Sequence, residues 1–152
     1  MLRRTCAALV VALSIVGLAS AASNSETYKF KAKLTASAEV PKPTNVPAGA
    51  TGQFTVTTVE PKRGKVKLSW KLTFSHLSGK AMQAHINLGK PGKAGNVLVA
   101  LCAPCKSGQT GKAVIARDVE DALERGRTYV NVHTAKNPGG EIRGQIKETE
   151  KD

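Results

Sequence analysis

Apolar and polar residues alternate through most of this chain, and no stretch of about 15 residues carries a helical period. In Val66-Lys67-Leu68-Ser69-Trp70-Lys71-Leu72-Thr73-Phe74 every second side chain is apolar. That pattern belongs to a strand with one face in a core and the other in water. Tyr28, Phe30, Ala32 and Leu34 repeat it against Lys29, Lys31 and Lys33. The pattern predicts strands over 28–35, 52–59, 65–75, 82–88, 97–101, 112–117, 128–134 and 141–147. Between the first two lie Pro41, Pro43 and Pro47, too many missing amide donors for a central strand. Glu60-Pro61-Lys62-Arg63-Gly64 reads as a hairpin connection. One short helix is expected over 119–125, capped by Asp118, with Glu120 and Asp121 at the positive end of its dipole and Gly126 closing it. Short strands at this spacing specify one all-β domain with a single crossover helix.

The densest set of polar groups lies in Tyr129 to Ile146. Val130 and Val132 alternate with Tyr129, Asn131 and His133, and Ile142, Gly144 and Ile146 alternate with Glu141, Arg143 and Gln145. Asn137-Pro138-Gly139-Gly140 between them offers a fixed φ followed by glycines, as a type II turn requires. In the 82–88 strand, Gln83, His85 and Asn87 oppose Met82, Ala84, Ile86 and Leu88. His85 and Asn87 therefore sit on a polar face, as His133 does on its own strand.

Composition adds a compartment and a charge. Arg3 and Arg4, the apolar run 6–18 and Ala19-Ser20-Ala21 form an export signal over 1–21. The run falls short of the roughly 20 residues a membrane-spanning helix needs. The expected product is secreted, to the extracellular space or to the periplasm and cell envelope, with no transmembrane segment once the signal is removed. It carries a flexible stretch at 22–27, a domain at 28–147 and a frayed tail at 148–152. Removing Arg3 and Arg4 from 23 basic side chains, against 11 acidic ones, leaves a net charge of +10. Lys29, Lys31 and Lys33, and Lys65, Lys67 and Lys71, stud two strand faces. They suit a solvated face that blunts edge pairing, or a footprint for acidic polysaccharide, an envelope surface or another extracellular protein. Nucleic acid is excluded as the partner, because the lysine faces carry no aromatic residue for base stacking. Cys6 leaves with the signal. Cys102 and Cys105 remain, after a strand and ahead of a loop, which favours a small structural disulfide over a redox pair at a helix start.

Three motifs together, Val130-Asn131-Val132-His133-Thr134, Pro138-Gly139-Gly140-Glu141-Ile142-Arg143-Gly144-Gln145 and Ala84-His85-Ile86 followed by Gly89, with Glu39-Val40-Pro41 upstream, closely resemble the CHRD domain. That module was first described in chordin and is common in secreted bacterial proteins. The resemblance spans roughly 28–147. It implies an antiparallel Greek-key sandwich, similar to an immunoglobulin-like sandwich or a superoxide-dismutase-like barrel, and no settled activity.

It also implies that the 82–88 and 128–134 strands lie near each other, bringing His85, Asn87, Asn131, His133, Glu141 and Arg143 into one polar site. Many relatives read Ala-His-Ile-His where this chain reads Ala84-His85-Ile86-Asn87, and the two-histidine form resembles the copper strand of copper/zinc superoxide dismutase. An amide oxygen is a poor copper or zinc ligand, so His85 and His133 alone leave an incomplete site. With no complete catalytic constellation, the expectation is a non-enzymatic binding module without a cofactor. The alternative is a copper or zinc protein built on His85 and His133. Glu141 and Arg143, two apart on one face, are expected to form exposed cross-strand pairs of about 0–1 kcal/mol each.

Overall fold

A computed structural model describes residues 25–152; the export signal expected at 1–21 lies outside them. Nine antiparallel strands form one sheet: β1 (Ser25–Thr35), β2 (Thr51–Pro61), β3 (Val66–Ser75), β4 (Ala81–Leu88), β5 (Val97–Cys102), β6 (Gln109–Ile115), β7 (Thr128–Thr134), β8 (Ile142–Gln145) and β9 (Lys147–Lys151). Their order is β5-β4-β7-β8-β1-β2-β3-β6, with β9 also paired to β1. The sheet is nearly closed. Its two ends, β5 and β6, are joined by a loop held by the Cys102–Cys105 disulfide. Hydrogen bonds from Cys105 N to Ala81 O and from Ser107 Oγ to Phe74 O fasten that loop to β4 and β3.

The alternation read from the sequence is the core. Phe30, Leu34, Phe54, Val56, Leu68, Trp70 and Leu72 from one half of the sheet meet Ala84, Ile86, Val130, Val132, Ile142 and Ile146 from the other, all buried. Each large apolar side chain of this kind contributes about 1.5–3 kcal/mol when fully removed from water. Among the described residues no helix is long and apolar enough to cross a membrane.

Several boundaries differ from those the sequence predicts, for local reasons. β6 begins at Gln109, inside what the composition marks as loop, because Gly111 lies opposite Trp70 and leaves room for the indole. A Cβ there would stand 2.5 Å from the ring. The final strand divides: β8 ends at Gln145 and β9 takes up Lys147–Lys151, so the expected frayed tail 148–152 is hydrogen-bonded to Tyr28–Lys31 instead. Lys29 reaches Glu150 and Asp152 at 3.0 and 3.2 Å, and Lys151 reaches Glu26 at 2.9 Å.

The crossover helix α1 (Arg117–Glu124) starts two residues early, with Ala116 at its N-cap and no side-chain cap. Asp118 Oδ1 accepts from the adjacent Val119 N–H instead. Its far end is closed as expected by Gly126, at φ +60°, through bonds from Gly126 N to Leu123 O and Arg127 N to Ala122 O.

Candidate functional site

Pairing of β4 with β7, and of β7 with β8, lines up His85, Asn131 and Arg143 in one row and Asn87, Tyr129 and Gln145 in the next. Gln83 stands opposite His133. These side chains point away from the apolar core, yet Asn87, Tyr129, Asn131, His133, Glu141 and Arg143 are all buried. Two loops cover them. The 89–96 loop is held down by Arg143, which donates to Lys90 O and Lys93 O at 3.1 and 2.8 Å, and by Gln145 Nε2, which donates to Gly89 O at 2.8 Å. The proline-rich 36–50 segment brings in Glu39, 1 % exposed, and is tied down by Thr44 N–H donating to Asn137 Oδ1 at 2.9 Å.

Glu141 and Arg143 do not form the exposed cross-strand pairs expected of each, since both are buried. The Arg143 guanidinium lies 3.4 Å over the Tyr129 ring, beside Glu39. Burial pushes the Glu39 carboxyl up, while its bond from Val40 N–H, the Arg143 charge and Asn131 pull it back. Glu141 accepts from Ser78 N at 2.6 Å, Thr134 Oγ1 at 2.5 Å, Asn137 Nδ2 at 3.1 Å and the Ser78 hydroxyl. Burial alone raises its pKa, but these donors outweigh burial and hold it below the usual carboxylate value. Both charges are thus committed to structure.

The Asn137–Gly140 turn also differs from a type II turn, since the positive φ, +126°, falls on Gly140. A Cβ at Gly140 would collide with a Glu39 carboxylate oxygen, so only glycine lets the turn close over that residue.

What remains at the rim of this layer is His85, Asn87, Asn131 and His133. His85 Nδ1 and His133 Nε2 are 3.3 Å apart, with ring centroids 5.0 Å apart, inside the roughly 6 Å that joint ligation of one ion allows. His133 Nδ1 faces Pro138 O at 2.9 Å and its Nε2 faces Asn131 Oδ1 at 3.0 Å, both acceptors, so the single N–H of the neutral ring serves one of them and leaves the other nitrogen with a free lone pair. That Asn131 oxygen accepts from Asn87 Nδ2 at 3.0 Å. Asn87 therefore spends its amide nitrogen inside the layer. Burial lowers the pKa of both imidazoles, His133 adding to the effect at His85, so both are neutral at neutral pH. Glu141 does not join them.

A family model for the CHRD domain matches residues 30–146, most of the chain and both halves of this layer. The chain belongs to the CHRD domain family. No curated protein and no solved structure matches it. The motif residues of this CHRD domain fall into two groups. Glu39, Asn131, Glu141 and Arg143 hold loops onto the sheet, and the His85–His133 pair stands at the rim. Sequence reasoning assigned no part to Glu39, Tyr129 and Asn137. The available signal was a tyrosine, an arginine and uncharged amides at outward positions where a wet strand carries lysine.

Proposed function

We propose that this CHRD domain is an exported, non-enzymatic binding module whose recognition surface is the outer face of β1, β2, β3 and β6, and whose partner is an acidic polysaccharide. One observation carries the reading. The strand register gathers Lys31, Thr55, Lys71 and Thr110 into one row and Lys29, Thr57, Ser69 and Lys112 into the next, with Lys33 and Lys67 flanking them. The outward positions of β2, β3 and β6 carry no acid.

Edge protection does not account for the lysines of β1 and β3, which lie inside the strand order. Over β2, β3 and β6 runs a shallow open trough of about 420 Å³ lined by Thr55, Thr57, Ser69, Trp70, Lys71, Thr110, Gly111 and Lys112. Ammonium groups supply attraction to carboxylate or sulfate, and hydroxyls supply hydrogen bonds of the kind sugars exchange. Lys31 and Lys71, two strands apart, stand roughly 10 Å from each other. Trp70 points into the core, so no aromatic platform exists here for a nucleic-acid base.

The wild-type protein is expected to be retained on an immobilised polyuronate at low ionic strength and released by salt. Reversing Lys31, Lys71 and Lys112 to Glu abolishes retention, whereas reversing Lys80, Lys90 and Lys136 to Glu, the same change in net charge, leaves most of it. Equal loss in both variants would show that only total charge matters and would end the proposal.

A second reading rests on the imidazole pair. Two nitrogens held about 2.0–2.1 Å from one tetrahedral ion stand about 3.3 Å apart, the separation found between His85 Nδ1 and His133 Nε2. Neutral rings offer two nitrogens to copper or zinc, the Asn131 amide oxygen beside them is a poor third ligand, and a donor from solvent or a partner completes the set. Purified protein is then expected to take up one equivalent of either metal and to lose that uptake in a His85→Ala, His133→Ala double variant. Protein whose melting is unchanged by copper or zinc contradicts this reading.

A further inference from the structure

At the end of the barrel closed by α1, carboxylate oxygens of Glu60, Glu120 and Glu124 lie within 4.8 Å of one another. Glu120 and Glu124 are one helical turn apart on α1, and Glu60 comes from the end of β2. In a chain of net charge +12 this gathering of acids is out of character. Glu120 is 1 % exposed, and its Oε1 has no hydrogen-bond partner. Beneath it Thr58, 0 % exposed, presents a hydroxyl that also completes no hydrogen bond, although it lies close enough to steady the ionised carboxyl.

Two buried oxygens that complete no hydrogen bond, next to three carboxylates, are an expensive arrangement unless something fills the space between them. Arg117 pairs with Glu60 from the outer side and also donates to Pro61 O. Lys151 is engaged with Glu26 and the Tyr28 ring. Three carboxylates against one guanidinium leave two negative charges unmatched. Burial raises the pKa of Glu120, and burial together with Asp121 raises that of Glu124, which expresses the same unrelieved cost.

We infer that this cluster is a calcium site, with Glu60, Glu120 and Glu124 as carboxylate ligands and the Thr58 hydroxyl beside them, pinning α1 to β2. An all-oxygen donor set selects a hard cation over copper or zinc. Ca²⁺ accepts a flexible shell of about six to eight oxygens, which side chains drawn from a strand end and a helix can supply, whereas Mg²⁺ demands near-ideal octahedral geometry and keeps most of its waters. The site shares no side chain with the lysine face or with His85 and His133, and it is independent of both readings given above.

The test is thermal unfolding of the full chain in about 10 mM CaCl₂, against NaCl and MgCl₂ at matched ionic strength, with calcium titrated calorimetrically. The expected result is one calcium per chain with a Kd of about 10⁻⁴–10⁻³ M, as in extracellular modules. Tm should rise by roughly 5 °C with calcium and by less than half of that with magnesium. Glu120→Gln, which removes a buried charge while keeping the shape, is expected to fold and to lose the calcium response. Glu124→Gln, at a half-buried position, weakens binding at least tenfold and covers the case in which the first variant fails to fold. Absence of a calcium shift above the NaCl control, or a shift that persists undiminished in either variant, overturns the inference.

Discussion

Glu141→Ala is expected to destabilise the domain by about 3–5 kcal/mol, a large share of the roughly 5–15 kcal/mol that holds a domain of this size. The residue is wholly buried, and its carboxylate is the common acceptor for Ser78 N–H, the Thr134 hydroxyl and Asn137 Nδ2, all of which lose that partner in the variant. Urea unfolding should show the loss as a lower midpoint with an unchanged slope. The same group sets an acid limb. Because its folded pKa lies below the ordinary carboxylate value of 4.5, its contribution is complete above that pH and is lost as pH falls toward the folded value. Glu141→Gln should therefore be less stable than wild type at neutral pH, with the gap closing as the solution is acidified. A gap that stays constant from neutral pH down to about pH 3 would show that charge plays no part.

Arg143→Ala is expected to cost a comparable 3–5 kcal/mol or so by a different route. The substitution strips the cation from beside buried Glu39, releases the carbonyls of Lys90 and Lys93, and uncovers Tyr129. Arg143→Lys should recover little, since one ammonium cannot lie flat on the ring and serve two carbonyls. The loss belongs partly to stranded Glu39. Adding Glu39→Gln to Arg143→Ala should therefore cost less than the sum of the two single changes, a coupling readable from a double-mutant cycle in urea. Strict additivity would mean that the two charges do not sense each other across the layer.

The fold was largely legible because side-chain alternation is a local property. Phe30, Val56, Leu68, Trp70 and Val132 declare their side of the sheet without knowledge of any partner. Alternation does not say what lies over the other side. On β1 and β3 the outward positions are lysine and face water; on β7 and β8 they are Tyr129, Asn131, His133 and Arg143 and lie under loops. The distinction is written in residue type: where the backbone of a covering loop must be satisfied, the sheet offers amides, a guanidinium and imidazoles in place of ammonium groups.

Glu39 escaped because its partners are about a hundred residues away, and nothing local marks a carboxylate that will be buried. β9 escaped because Lys147-Glu148-Thr149-Glu150-Lys151 has no apolar side to betray it. It is held by backbone pairing to β1 and by ion pairs with Lys29 and Glu26.

The central claim is that recognition occurs on the lysine face, while the motif residues of β4, β7 and β8 hold the scaffold. Amide chemical-shift mapping during titration with a soluble polyuronate tests it most directly. The account predicts perturbations concentrated at Lys31, Thr55, Ser69, Lys71, Thr110 and Lys112, fading as salt is added, with His85 and His133 unmoved. Perturbations centred on His85, Asn131 and His133, with a silent lysine face, would contradict it.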